Sequence, residues 1–272
     1  MILQCSSWKE LMTIFRTLAD NRRLNIIKNS CDNDFLERID FAVNQALKEI
    51  DTSTSSIISL FEAIDTIDSL DIDNMPAYSL ESRNVQLIGD DEMEHAISAI
   101  RSHGVVGFDT EQRPTFKSGA PSNGIAIIQI STASDCFIFQ VKRTDNISQV
   151  LDILQDHRIL KIGIGLKGDK SAFKREFDIK LQSCADIEWL FTSKLGYENQ
   201  IGTKKSVAFI LGNKIQKSKS MSTSNWEAPT LSNAQIKYAA EDSSAAYDVF
   251  TKMMIDYPFL MESMPKWIHN KF

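Results

Sequence analysis

The chain has 272 residues, 43% hydrophobic and 24% charged, which is ordinary for a soluble globular protein. No apolar run approaches the roughly 20 residues that span a bilayer, so no membrane partner is expected. The net charge of -6 lies in residues 1–80, which hold 7 basic and 13 acidic residues, whereas the remainder holds 23 of each. The acidic total therefore does not exclude a polyanionic partner for the remainder.

The cysteines and histidines define no metal-ligand spacing. There are four of each, and both sets are scattered along the chain. This distribution argues against a zinc site and indicates free thiols in a reducing compartment. We therefore expect an intracellular protein, cytoplasmic or, in a eukaryote, nuclear.

Residues 1–70 carry apolar side chains at helical spacing and are predicted to form an all-helical N-terminal segment. The simplest interpretation is a small helical bundle, and the alternative is a surface for a protein partner or for self-association. Residues 71–84 lack periodicity and include Pro76, so they are predicted to be a linker.

Residues 85–255 alternate strands and helices, which predicts an α/β domain with a mixed β-sheet flanked by helices. Residues 256–272 are expected to be a C-terminal tail or a short helix. The expected strands are 85–88, 105–111, 125–131, 136–141 and 159–163, and the expected helices are 90–102, 147–155 and 231–250.

The strand at 105–111 ends in two carboxylates, Asp109 and Glu111, separated by one residue. Side chains alternate along a strand, so both acids point to the same side. Two neighbouring carboxylates repel each other and are costly to desolvate, and a hard cation such as Mg²⁺ or Mn²⁺ removes both penalties. The alternative is a strand end with two solvated acids.

A glycine-rich turn follows the strand at 159–163. Gly163, Gly165 and Gly168 form a GxGxxG pattern. Asp186 follows at about the sequence spacing of the acid that contacts the ribose in dinucleotide-binding folds, so a dinucleotide site is one hypothesis. Asp169 directly follows the last glycine, however, and places a carboxylate where a pyrophosphate would approach the helix. Asp169 is thus either a ligand for a second cation or a helix N-cap.

A stretch rich in lysine and serine precedes the last helix. It is either a solvated loop or the wall of a groove for a phosphate backbone, with Lys219 as a substrate contact. Trp226 either stacks on a base or belongs to the core. The lysines of this stretch are Lys204, Lys205, Lys214, Lys217 and Lys219.

In the helix at 231–250, Tyr238 and Asp242 are four residues apart and share one face. Either Thr230 or Ser232 begins this helix. Asp242 can bind a metal ion, and Tyr238 can hold or deprotonate a water molecule. A surface helix that happens to carry a tyrosine and an aspartate is the plainer interpretation.

Three ordered motifs resemble those of the DEDD superfamily of 3′–5′ exonucleases, in the tyrosine (DEDDy) subclass, as in RNase D and the Werner syndrome protein exonuclease domain. The resemblance covers about residues 85–255. It departs at Gln112, where Werner-type sequences often have tryptophan. The motifs are Phe108-Asp109-Thr110-Glu111, Gly163-Ile164-Gly165-Leu166-Lys167-Gly168-Asp169 and Tyr238-Ala239-Ala240-Glu241-Asp242.

The resemblance implies a ribonuclease H-like fold and two divalent cations, Mg²⁺ or Mn²⁺. It also implies hydrolysis of DNA or RNA from a free 3′ end, which releases nucleoside 5′-monophosphates. Tyr238 would orient the attacking water, and the backbone at Thr110 would contact the terminal sugar. The alternatives are a catalytically silent module that binds nucleic acid or a partner and, third, a dinucleotide-binding protein. The implied metal ligands are Asp109, Glu111, Asp169 and Asp242.

Overall fold

The computed structural model describes residue 60 and residues 63–115 and 123–271. The chain divides into two units, Met1–Thr66 and Ile67–Phe272. Nearly all of the predicted helical N-terminal segment lies outside the described residues, and so does the surface suggested there for a partner or for self-association. The second unit carries every residue that the sequence marks as a candidate for chemistry.

Six strands build one sheet in the second unit. They are β1 (Asn84–Ile88), β2 (Val105–Gln112), β3 (Ile125–Ser131), β4 (Asp135–Gln140), β5 (Leu160–Gly163) and β6 (Cys184–Asp186). Their order is β1-β4-β3-β2-β5-β6. β2, β3 and β4 are antiparallel neighbours. β1 joins β4 in parallel, and β5 and β6 extend the sheet in parallel beyond β2.

Helices cover the sheet. They are α1 (Met93–His103), α2 (Ile147–Gln155), α3 (Lys167–Phe177), α4 (Ile187–Trp189), α5 (Thr203–Leu211), α6 (Lys219–Ser222) and α7 (Asn233–Asp256). Short 3₁₀ turns occur at Ile67–Ser69, Ile72–Asn74, Pro258–Ser263 and Lys266–Lys271, and a π-helical turn occurs at Leu190–Lys194. Within the described residues, no helix is both long enough and apolar enough to cross a membrane.

The prediction of a mixed α/β sheet flanked by helices is confirmed, and the five expected strands and three expected helices are present. The sequence did not reveal β6, because three residues are too few to show an alternating pattern. Ser232, not Thr230, caps α7, and its side chain and that of Gln235 form a reciprocal capping box. α7 also continues six residues beyond the predicted end, to Asp256.

Alternation along β2 separates two apolar cores. Val106 and Phe108 point into a core on the side of α1, α2 and α3. The opposite face of the sheet packs against α7, where Ile127 meets Ala239 and Ala240. Because Asp109 and Glu111 are in register with Gly107 and not with Phe108, both acids lie on the face that α7 covers.

Gly107 lets α7 approach the sheet closely. A Cβ atom built on Gly107 would lie 2.0 Å from the backbone oxygen of Ser243, so any side chain there would push the helix away. The Ser131 hydroxyl pairs with the hydroxyls of Ser243 at 2.7 Å and Ser244 at 3.0 Å. These contacts hold Asp242, the neighbour of Ser243, against the strand that carries Asp109.

The segment predicted to be a linker belongs to the second unit and packs against the rest of it. The Tyr78 amide donates to the Lys214 carbonyl at 2.8 Å, and the Lys214 amide donates to the Pro76 carbonyl at 2.7 Å. Farther along, the guanidinium of Arg83 forms a salt bridge with Asp248 of α7 at 2.6 Å. Residues 76–83 are thus attached to the body that holds the sheet, while the predicted domain boundaries remain a prediction.

Candidate active site

Three carboxylates converge where β2 ends beside α7. Asp109, Glu111 and Asp242 each offer one oxygen, and these oxygens all lie within 4.8 Å of one another. Asp109 and Glu111 are half-buried, whereas the Asp242 side chain is only 3% exposed. Such a set is repulsive unless protons or a cation neutralise it.

The fourth predicted acid, Asp169, lies in the first turn of α3. The Thr110 hydroxyl donates a hydrogen bond to Asp169 Oδ1, which ties the acid to β2 between Asp109 and Glu111. Burial, and in addition the charge of Asp169, raises the pKa of Asp109. Leu166 occupies the N-cap position, so Asp169 is not the cap of this helix.

The glycine-rich turn serves packing. A Cβ atom on Gly163 would lie 2.2 Å from the Leu166 side chain and 3.0 Å from the Phe108 carbonyl. Asp186 accepts hydrogen bonds from the amides of Gly165 and Leu166, each at 2.9 Å. Those amides would have to bind a pyrophosphate, and Asp186 would have to bind a ribose. The structure therefore gives no support to the dinucleotide hypothesis.

Lys217 brings a positive charge to the acids. Its ammonium forms a close ion pair with Asp242 Oδ1, and the same nitrogen lies 4.8 Å from the centre of the Tyr238 ring. The Lys217 side chain is 26% exposed, so the charge is well withdrawn from solvent. The sequence left the lysine stretch as either a solvated loop or a groove wall, and only the fold shows that Lys217 meets Asp242.

The two aromatic candidates pack against each other with their rings tilted by 43°. Trp226 is fully buried, and its ring centre lies 5.9 Å from that of Tyr238. The structure thus places Trp226 in the core, where it supports Tyr238 and has no face open to a base. Lys219 begins α6 and is exposed, and Thr110 is committed to Asp169 through its hydroxyl.

Burial dominates the ionisation of the site. Burial, together with the charge of Asp109, raises the pKa of Glu111 to about 8. Burial likewise raises the pKa of Asp109 and Asp169 and lowers that of the Lys217 ammonium. Burial beside Glu111 raises the pKa of Tyr238 to about 12, so this phenol keeps its proton at neutral pH.

Unpaired polar atoms surround the acids. Asp242 Oδ2 is buried and has no hydrogen-bond partner among the described residues. Both amide atoms of Gln129 are in the same situation, and Gln129 pairs with Asp109 in the β2–β3 ladder. An unpaired buried carboxylate oxygen is costly, and a hard divalent cation supplies the missing partner. The donor set therefore fits a divalent metal ion.

The fold and the site together define a class of protein: an α/β domain with an acidic metal-type centre at the end of a central strand, as found in nucleases that cut phosphodiesters. Residues 86–256 match the family model described as 3′–5′ exonuclease. The chain belongs to this family. The predicted membership in the DEDD exonuclease superfamily is thereby supported.

Individual relatives agree. The chain is 31% identical over 192 residues to the mouse bifunctional 3′–5′ exonuclease/ATP-dependent helicase WRN, which covers 70% of this chain and 13% of that protein. It is 26% identical over 154 residues to a 3′–5′ exonuclease of Arabidopsis thaliana, and this match covers 56% of this chain and 53% of that protein. The chain thus spans about half or less of the length of these relatives.

The fold is also that of a solved exoribonuclease. The structure of Escherichia coli RNase D, described as an exoribonuclease involved in structured RNA processing, superposes with a TM-score of 0.56 at 23% identity. The match covers 65% of this chain and 46% of RNase D. At this level of identity the likeness shows the shared fold.

Proposed function

We propose that this chain is a metal-dependent 3′–5′ exonuclease of the tyrosine subclass, which hydrolyses the terminal phosphodiester of a nucleic acid strand. The observation that carries the proposal is the convergence of Asp109, Glu111 and Asp242 within 4.8 Å. Acids from a strand and from a helix more than 130 positions later have no structural reason to share one partly buried spot. Membership in the 3′–5′ exonuclease family supports the same function.

The four acids are the proposed ligands of two divalent cations, Mg²⁺ or Mn²⁺. Asp109, Glu111 and Asp242 would hold one ion, and Asp169 would serve the second together with Asp109. Bound there, a pair of divalent cations supplies a more acidic water and charge stabilisation for the leaving oxygen. Thr110 keeps the Asp169 carboxylate in place through its hydroxyl.

Tyr238 is the proposed water-orienting group. Its hydroxyl can donate a hydrogen bond to a water oxygen or accept one from a water proton. Trp226 fixes the ring from behind. The oriented water forms a bond to the terminal phosphorus, and the bond from phosphorus to the 3′ oxygen of the preceding nucleotide breaks. The attacking water gives up a proton to solvent, the 3′ oxygen takes up a proton from solvent, and a nucleoside 5′-monophosphate leaves.

The proposed substrate is DNA or RNA with a free 3′ end. Among the relatives, RNase D is described as an exoribonuclease, whereas mouse WRN carries its exonuclease beside a helicase. The backbone of Thr110 at the terminal sugar and the side chain of Lys219 on the exposed turn of α6 remain proposed substrate contacts. A protein partner or a second copy of the chain remains a proposal for residues 1–70.

The test is digestion of matched DNA and RNA oligonucleotides labelled at the 5′ end, with Mn²⁺ or with EDTA. We expect a ladder of shortened products and release of 5′-monophosphates only with the metal. Asp109→Ala should remove the ladder, whereas Asp152→Ala, a change of an exposed acid on α2, should not. A wild-type protein that binds the strands and releases no mononucleotide would favour the silent binding module. A fully active Asp109→Ala protein would show that the site is elsewhere.

A further inference from the structure

A basic cavity adjoins the acidic site. Its volume is about 390 Å³, and its charged lining consists of three lysines and one aspartate. The lining therefore carries a formal excess of positive charge, next to a cluster of carboxylates. The lining residues are Asp73, Lys204, Lys214, Ile215, Gln216, Lys217 and Ser218.

Backbone contacts fix the walls of this cavity. The Lys214 ammonium donates to the Asp73 carbonyl at 2.7 Å, and the Lys214 backbone is bonded on both sides to residues 76–78. Lys204 lies in the first turn of α5 and approaches the Asp73 carboxylate only to 3.6 Å. Asp73 is 93% exposed, so this pair is loose and screened by solvent. The Lys204 charge is thus available to a ligand.

Lys217 belongs to both the cavity and the acidic site. It lines the cavity, and its ammonium contacts Asp242. A ligand in the cavity therefore lies one side chain away from the acids. Lysine ammonium groups are donors only, and they bind phosphate oxygens as point charges. The lining of the cavity therefore favours an anionic ligand adjacent to the acids.

We propose that the cavity of Lys204, Lys214 and Lys217 binds a backbone phosphate of the nucleic acid strand, on the leaving side of the bond that is cut. That the ligand is a nucleic acid strand rests on the proposed function. The terminal phosphodiester meets the carboxylates, and the next phosphate towards the 5′ end lies in the cavity. A substrate with only one phosphodiester does not reach the cavity.

The binding test measures the Kd of a ten-nucleotide oligothymidylate in Mg²⁺. The protein carries Asp109→Ala so that the strand is not cleaved. Adding Lys204→Gln and Lys214→Gln should weaken binding about tenfold or more, because two phosphate-neutralising charges are lost. The slope of log affinity against log salt should become shallower by about 0.7 for each lysine that contacts a phosphate. Lys180→Gln with Lys252→Gln, an equal loss of charge at exposed or half-exposed lysines elsewhere, is the matched control.

The cleavage test uses the otherwise wild-type protein with two substrates. Lys204→Gln/Lys214→Gln should lose about tenfold in kcat/KM on the oligonucleotide and keep its kcat/KM on the p-nitrophenyl ester of thymidine 5′-monophosphate, which has one phosphodiester. Unchanged ester hydrolysis also shows that the variant is folded.

Three results would overturn the cavity assignment: unchanged oligonucleotide binding, equal losses on both substrates, or equal losses in the matched control. A wild-type protein that binds the strand with the expected lysine dependence but cleaves neither substrate would refute the proposed function and leave the cavity assignment standing.

Discussion

Two aspartates on α7 lie six residues apart and are treated in opposite ways. Asp248 receives two hydrogen bonds from Arg83, at 2.6 and 2.8 Å, and one from the Tyr78 hydroxyl at 2.6 Å. Asp242 is more deeply buried, yet its Oδ1 meets only the Lys217 ammonium and its Oδ2 has no partner among the described residues. Both oxygens of the Asp248 carboxylate thus have hydrogen-bond partners, whereas one oxygen of Asp242 has none among the described residues.

The difference separates a structural acid from the acid that we propose as a metal ligand. Asp248 joins α7 to the segment that precedes the sheet, and Arg83 is only 3% exposed, so this pair holds two parts of the chain together. Asp242 is placed near two further carboxylates, an arrangement that costs stability unless something binds there. Incomplete hydrogen bonding in a buried acid therefore marks the place where a ligand is expected.

The strongest way to break this comparison is to neutralise each aspartate without changing its shape. Asp242→Asn should lower kcat by about 10³-fold or more, because a proposed metal ligand is lost and with it the charge stabilisation that the metal supplies. Asp248→Asn should keep kcat within a few-fold. Steady-state digestion of a 5′-labelled oligonucleotide measures both variants, and equal losses would show that the two acids do not differ in function.

The reverse experiment removes the partner of the structural acid. Arg83→Ala leaves Asp248 without its salt bridge and should destabilise the protein by about 3 kcal/mol, measured by urea unfolding. Activity per folded molecule should be unaffected. A loss of activity per folded molecule as large as that expected of Asp242→Asn would contradict this division of roles.

Tyr238 sharpens the comparison on the same helix. Tyr238→Phe should lower kcat by about 10²-fold, because the ring stays packed on Trp226 while the hydroxyl is lost. The Kd for Mn²⁺ should be unchanged. Tyr247→Phe, nine residues later on α7, is the control and should retain activity. If both variants were fully active, the phenol would have no part in the reaction.

The smallest expected effect is on stability and pH. Glu111 has a raised pKa of about 8 in the folded protein against an ordinary 4.5, so its contribution to stability is present below pH 4.5 and is lost as the pH rises to about 8. In EDTA, Glu111→Gln should match the wild type in Tm at pH 5 and exceed it by a few degrees at pH 8. Glu94→Gln, an exposed change on α1, should show no such trend.

Much of this fold could be predicted because its elements have clear periods. The apolar run of β3 and the helical stripe of α2 gave the observed bounds, Ile125–Ser131 and Ile147–Gln155. β6 was missed because three residues carry no period. The sequence also could not show that residues 76–83 attach to α7, since that attachment depends on Arg83 meeting Asp248.

In the site, the convergence of Asp109, Glu111 and Asp242 was predictable and their surroundings were not. Same-face spacing gave Asp109 with Glu111, and helical spacing gave Tyr238 with Asp242. The contacts of Lys217 and Thr110 join residues 25 and 59 positions apart, which no local pattern encodes. One signal was visible: Gln129 is a lone amide within a run of isoleucines, which is where a buried polar group with a task would stand.

The central claim is that the clustered carboxylates of Asp109, Glu111 and Asp242 form a metal centre. The most direct test is to locate Mn²⁺ by anomalous X-ray scattering in crystals of the wild-type protein. The account predicts Mn²⁺ bonded to oxygens of Asp109, Glu111 and Asp242, with the Lys217 ammonium withdrawn from Asp242. Mn²⁺ bound elsewhere, with Lys217 still paired to Asp242 at saturating metal, would contradict it.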